Sequence, residues 1–148
     1  MHIGKNFYCG PGFTVLDHAK VTIGDNVMIA PHVSLLTAYH PKHYTQRIVR
    51  KMPDTFEPHG RGDYELISPI TIGNNVWIGS SAIVLPGVSI GDNSIIGAGS
   101  VVTRSVPTDS LAIGSPAKVV RTITEDDLLP ENMWEDFVPL TKTKNQNK

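Results

Sequence analysis

Six histidines (His2, His18, His32, His40, His43 and His59) and a single cysteine, Cys9, are among the side chains of this 148-residue chain suited to proton transfer or nucleophilic attack near neutral pH. One thiol forms no intrachain disulfide. Cys9 also falls in an apolar repeat, so a small buried hydrophobe is expected there rather than a nucleophile. Three converging histidines with an open fourth position would make a catalytic metal centre, but no pair among the six stands at a spacing that stacks them on neighbouring coils. His40 differs from the rest because it precedes Pro41. The proline ring fixes its own φ and drives the preceding residue towards an extended conformation. An imidazole held that way, with an ordinary pKa near neutrality, suits general-base work. Spacing alone favours the commoner fate of a lone histidine, a solvated loop residue.

The element that would hold His40 shows itself by periodicity. Ile72, Ile78, Val84, Ile90, Ile96 and Val102 stand six apart. A helix repeats at 3.6 and a strand at two, so a period of six describes a chain that turns a corner after each short strand. Such hexapeptide repeats build a parallel β-helix. Ile3, Cys9 and Val15 form an earlier set, and Ile23, Ile29 and Leu35 another. A second inward row lies two residues before the first: Val21, Val27, Val33, Ile70, Val76, Ala82 and Val88, shrinking to Ser94 and Ser100. Glycines follow the ladder position (Gly4, Gly24, Gly73, Gly79, Gly91, Gly97) and are expected to supply backbone freedom at corners. Asp or Asn after them tolerates left-handed turns. Inward side chains should stack about 4.8 Å apart, in four coils over residues 3–20, 21–36, 70–89 and 90–107. The fold class is all-β, with a β-helix domain at 1–121 and a tail at 122–148.

Between residues 37 and 68 the ladder stops and then resumes in register, so the insert leaves and re-enters at one corner as a projecting arm. It shows no helical or alternating pattern, and a connection this long is usually functional or disordered. His40 lies where the last strand becomes the arm. Arm cations Lys42, His43, Arg47, Arg50, Lys51 and Arg61 would suit a phosphorylated or nucleotide-linked sugar, although a solvated face is the commoner outcome. Thr124 followed by Glu125, Asp126 and Asp127 is expected to start a short helix. Leu128, Leu129, Met133, Trp134 and Phe137 would pack on the prism or a neighbouring subunit, and residues 141–148 are expected to be disordered.

The net charge of −1 gives no global field for nucleic acid or an anionic membrane. No apolar run approaches the roughly 20 residues of a membrane span, and the first ten residues lack a signal peptide's charged start and apolar core. The expectation is a cytoplasmic protein. A short prism has open ends that need covering, so a longer chain or oligomerisation is expected.

Dense motifs then carry a resemblance. They include Asn6-Phe7-Tyr8, Leu16-Asp17, the run from Val21 to Val27, Ala30-Pro31 and Thr37-Ala38-Tyr39-His40-Pro41. After the arm come the run from Pro69 to Gly79, Leu85-Pro86-Gly87-Val88, the run from Ile95 to Thr103 and the run from Gly114 to Arg121. Together they resemble the galactoside/maltose O-acetyltransferase family of hexapeptide-repeat enzymes over about residues 2–123. The resemblance implies a left-handed β-helix, against the usual right-handed crossover, and a homotrimer with sites between subunits. It implies acetyl-CoA as co-substrate with no metal, and direct transfer to a sugar-like hydroxyl with His40 as the general base. Trp77 would wall the pantetheine arm. Ser80, Ala98, Thr103 and Arg104 match positions that contact the pantetheine or thioester, and Lys118 and Arg121 match the basic pair that meets the coenzyme phosphates. Asp17 matches the acceptor side.

The departures cluster at that acceptor side. The family's opening helical segment, earlier coils and N-terminal carboxylate have no counterpart here. Gly10 stands where the family has an acceptor-contacting asparagine, and the acidic position downstream falls at Asp17 and His18. Lys118 replaces an arginine and loses its bidentate fork. The arm is longer. The expected machinery is therefore retained on the donor side and rebuilt on the acceptor side. A hydroxyl-bearing antibiotic or an amino sugar is the alternative acceptor. A carbonic-anhydrase-like metal trimer and a non-catalytic scaffold are the alternative classes.

Overall fold

A computed structural model describes residues 1–47, 65–131 and 133. Expectations placed on His59, Arg50, Lys51, Arg61, Trp134, Phe137 and 141–148 lie outside the described residues, as does the side chain of Arg47. The first coil comprises β1 (His2–Ile3), β2 (Tyr8–Cys9) and β3 (Thr14–Leu16), and the second β4 (Val21–Ile23), β5 (Met28–Ile29) and β6 (Ser34–Leu36). The arm follows, with β7 (Ala38–Tyr39), a four-residue α1 (Tyr44–Arg47) and the returning β8 (Leu66–Ile67). The third coil is β9 (Ile70–Ile72), β10 (Trp77–Ile78) and β11 (Ile83–Val84), and the fourth β12 (Ser89–Ile90), β13 (Ile95–Ile96) and β14 (Val101–Val102). Then come β15 (Ser110–Gly114), β16 (Ala117–Thr122) and a 3-10 turn at Glu125–Asp127.

Three sheets form the walls. The first is β1-β4-β9-β12, the second β2-β5-β10-β13-β15-β16 and the third β3-β6-β11-β14. Pairing between successive coils is parallel and strictly in register: Ile3 with Ile23, Ile29 with Ile78 and Ile78 with Ile96, and Leu35 with Val84 and Val84 with Val102. The inward rows form the core, with Ile23, Ile29, Leu35, Ile78, Val84, Ile96 and Val102 all at 0% exposure. Ser94 and Ser100 are equally buried, and their hydroxyls are used. Ser94 Oγ donates to the Pro107 carbonyl at 2.7 Å and Ser100 Oγ accepts from Gly114 N–H at 3.1 Å. Buried polar groups need such partners.

The fold departs from expectation in five places. Val106 bridges Ile90, so a fifth, partial coil begins there and continues into β15. β16 then turns back antiparallel on β15. The arm is not patternless, since β7 and β8 pair antiparallel at its root, with Ala38 opposite Ile67 and Tyr39 opposite Leu66. Cys9 keeps its register with Ile29 but is exposed rather than buried. It belongs to the terminal coil, where a ladder side chain is covered from one side only; Ile3 is 37% exposed for the same reason. Of the two packings expected for Leu128, Leu129 and Met133, on the prism or on a neighbouring subunit, the first is not formed, and all three are exposed on this chain.

The glycines also do different work from that expected. At Gly4, Gly24, Gly73, Gly79, Gly91 and Gly97 the backbone is not left-handed; the positive φ values fall on Asn6, Asn26, Asn75 and Asn93. What those glycines provide is closeness. A Cβ on Gly24 would lie 2.6 Å from the Gly73 carbonyl oxygen of the next coil. The following Asp or Asn bonds the coil below: Asp25 Oδ1 accepts from Lys5 N–H, Asn74 Oδ1 from Asp25 N–H, and Asp92 Oδ1 from Asn74 N–H, at 2.7–2.9 Å. The left-handed asparagines join amide to amide along the corner, from Asn6 through Asn26, Asn75 and Asn93 to the carboxylate of Asp109.

Candidate active site

The edge at which the third sheet's strands end collects the chemistry. In-register pairing stacks Leu16 on Leu36 and Leu35 on Val84 and Val102. The residues that follow those strands therefore form one column: Asp17 and His18 after the first coil, the arm root after the second, Pro86 after the third, and Thr103 and Arg104 after the fourth. His40 immediately follows β7 and is exposed. With coils about 4.8 Å apart, the arm root and Thr103 are separated by about two such steps.

Thr37 welds the arm to this column. It is fully buried; its Oγ1 donates to the Leu16 carbonyl at 2.6 Å and accepts from Ala19 N–H at 3.0 Å. Its own carbonyl accepts from Ser68 N–H at 2.9 Å, tying outgoing and returning limbs together. His43 stacks on Tyr44, ring centroids 5.0 Å apart. Asp17, on the coil below, lies 3.7 Å from the N-terminal amine.

At the upper end of the column a cleft of about 540 Å³ is lined by Thr103, Arg104, Ser105, Val106, Pro116, Ala117, Lys118 and Val119. Three of the residues matched to coenzyme positions, Thr103, Arg104 and Lys118, thus meet in one concavity with two cations. The hairpin places Lys118 there, because β16 folds back over β15. Ser80 and Ala98 stack at the opposite edge of the same sheet, where Gly99 N–H donates to the Ser80 carbonyl at 2.8 Å. Trp77 stands on the second sheet, facing outward in register with Met28 and Ile95; its exposure is 49%.

Arg121 is not in the cleft lining. Its Nη1 and Nη2 donate to Asp127 Oδ2 and Oδ1 at 2.7 and 2.6 Å, and Nη1 also reaches the Thr122 carbonyl at 3.1 Å. Bidentate pairs of this type are among the stronger charge-assisted bonds. The hydrogen bonds from Arg121, then that from Thr124 N–H, hold the Asp127 carboxyl down to about 2, and Asp127 in turn raises the Arg121 pKa.

Periodicity gave no hint of two features. One is Thr37, whose burial follows from the arm's departure. The other is the contact of His18 Nδ1 with Glu65 Oε2 across the arm root. The only sequence signal for the latter is that Glu65 directly precedes Leu66-Ile67, a pair that reads as apolar only once the hairpin register is known. Among the described residues no three of His, Cys, Asp or Glu converge as a metal site, and no helix is long and apolar enough to cross a membrane.

The repeat that builds this prism is also what the family comparison finds: residues 69–104 match the family described as bacterial transferase hexapeptide (six repeats). The chain belongs to the hexapeptide-repeat acetyltransferases. It is 30% identical to the hexapeptide-repeat containing acetyltransferase VCA0836 from Vibrio cholerae, with a TM-score of 0.67 over 84% of this chain and 74% of that one. It is 47% identical over 127 residues to the galactoside O-acetyltransferase of Escherichia coli (strain K12), covering 86% of this chain and 56% of the relative. A solved galactoside acetyltransferase in complex with coenzyme A superposes with a TM-score of 0.75 at 47% identity, over 85% of this chain and 56% of that one. The chain thus spans somewhat more than half the length of these two galactoside enzymes. The fold is the left-handed parallel β-helix that the resemblance implied.

Proposed function

We propose that the protein transfers an acetyl group from acetyl-CoA to a hydroxyl of a sugar or sugar-containing acceptor, with His40 as general base and no acyl-enzyme. The observation that carries this reading is the cleft in which Thr103, Arg104 and Lys118 meet, on the prism edge from which His40 also emerges. The imidazole takes the acceptor's hydroxyl proton as that oxygen attacks the thioester carbonyl. The tetrahedral intermediate collapses, the C–S bond breaks, and the proton passes from His40 to the departing thiolate. Lys118 meets a coenzyme phosphate as a point charge, and Arg121 joins it by releasing Asp127 or through its remaining N–H groups. Ser80, Ala98 and Thr103 line the pantetheine path with Trp77 as its wall, and Asp17 stands on the acceptor side. The sugar acceptor is supported by the relatives' galactoside activity.

The working form in this reading is a cytoplasmic homotrimer with the sites between subunits. An outward apolar row on the second sheet, Tyr8, Met28 and Trp77 at 46–49% exposure, supports burial against another copy.

Replacing His40 with Ala should lower kcat by about 10²–10⁴-fold while calorimetry still detects acetyl-CoA binding. Unchanged acetyl transfer by H40A would remove His40 as the base. Failure of the unaltered protein to bind acetyl-CoA would remove the enzyme reading itself.

A further inference from the structure

The contact between His18 and Glu65 is absorbed neither by the fold nor by the proposed transfer. Three chain segments meet here. His18 follows the first coil's last strand, His40 follows the outgoing limb of the arm, and Glu65 precedes the returning limb. Because Tyr39 pairs with Leu66, His40 and Glu65 occupy the next position outward on the two limbs. His18 Nδ1 meets Glu65 Oε2, and the two side chains remain 45% and 30% exposed. The arm root is already closed by the two β7–β8 pairs and by the bonds of Thr37 to Leu16, Ala19 and Ser68. The imidazole–carboxylate pair is therefore not needed to seat the arm, and it stays partly open to solvent.

We propose that His18 is a specificity-determining residue for the acetyl acceptor and that Glu65, supplied by the arm, is its positioning residue; this rests on the reading of His40 as base. A carboxylate on Nδ1 fixes the proton on that nitrogen and leaves the Nε2 lone pair as an acceptor. Nε2 then takes a hydrogen bond from a hydroxyl. His18 and the arm root follow strands of adjacent coils, in register through Leu16 and Leu36 and about 4.8 Å apart in rise. A rise of that size is wider than vicinal hydroxyls and suits two hydroxyls further apart on one sugar ring, one held by His18 and the other deprotonated by His40. The acceptor class is a ring polyol rather than an isolated alcohol. The arm, by carrying Glu65, makes acceptor choice depend on the insert as well as on the coils.

The test compares the full chain with His18→Gln, Glu65→Gln and Glu65→Asp, using acetyl-CoA with methyl galactoside, maltose and N-acetylglucosamine and the monodeoxy analogues of each. The expected result is an acceptor KM raised about tenfold in H18Q and E65Q, as for loss of a charge-assisted bond, with acetyl-CoA affinity unchanged. E65D recovers part of the loss. The unaltered protein prefers the full sugar to one monodeoxy analogue, and both Gln variants lose that preference. Nitrogen NMR of His18 should show the Nδ1–H tautomer in the unaltered protein and its loss in E65Q. Folded variants with unchanged acceptor KM and selectivity overturn the inference alone. Equal losses for acceptor and coenzyme make the pair a structural tether and overturn it too. If the unaltered protein binds acetyl-CoA but acetylates none of these sugars, the sugar-transfer reading falls and takes this inference with it.

Discussion

Asp127 offers both carboxylate oxygens to Arg121, and one of them also accepts from Thr124 N–H at 3.0 Å. These bonds hold the acid at about 2, below its ordinary 3.8. A carboxyl depressed on folding stabilises the folded state above its unfolded pKa, and that contribution is lost as pH falls through the folded value. The hold of Asp127 on the C-terminal turn is thus complete above about pH 4 and fades towards pH 2. The carboxyl carbon should titrate near 2 by NMR and move up to the ordinary range in Arg121→Gln. A native midpoint near 4 would show that the pair does not form in solution. Arg121 also shows what motif matching leaves out. The resemblance suggests a phosphate contact at this position, but the partner the structure gives it lies six residues further on, in a turn whose packing no motif specifies.

At the level of the coil, the six-residue ladder foretold the inner rows from residue 21 onwards, and the closed core follows from them. It failed at Cys9, because a period records which way a side chain points and not whether a neighbouring coil lies over it. It also misjudged the corner glycines, since a missing Cβ serves both backbone freedom and close approach, and only the structure tells them apart. The distinction is measurable. A Cβ on Gly79 would lie 2.5 Å from the Ala98 nitrogen, whereas one on Gly99, at φ 69°, meets nothing within 4 Å. Gly99→Ala should cost about 1–2 kcal/mol for its left-handed backbone. Gly79→Ala should cost more, because two coils must part. Urea unfolding of both variants checks the order, and equal costs would argue against close packing as the role of Gly79. On the candidate site, the resemblance names His40, Thr103, Arg104 and Lys118 as candidates, and the structure brings the last three into one cleft. The sequence hid Glu65, whose role depends on where the arm returns.

For the whole molecule, the proposed sites between subunits require more than one copy. Light scattering at micromolar concentration should give three times the 16.1 kDa chain mass. A monomer would leave the apolar row of Tyr8, Met28 and Trp77 in water and would speak against shared sites.

The amide row along one corner has a direction. Asn6 gives a hydrogen to the coil above, and Asn26, Asn75 and Asn93 each receive one from the coil below and give one to the coil above. Asp109 receives from Asn93 through Oδ1, and in place of an amide it carries a second oxygen, with no N–H to pass on. The last member therefore acts as a stop signal written in the choice of side chain. A middle coil, 18 residues from one asparagine to the next, could be copied and inserted without breaking the relay. A copy of the final one could not. Such a prism gains length from within, and its ends stay chemically distinct however many turns it acquires.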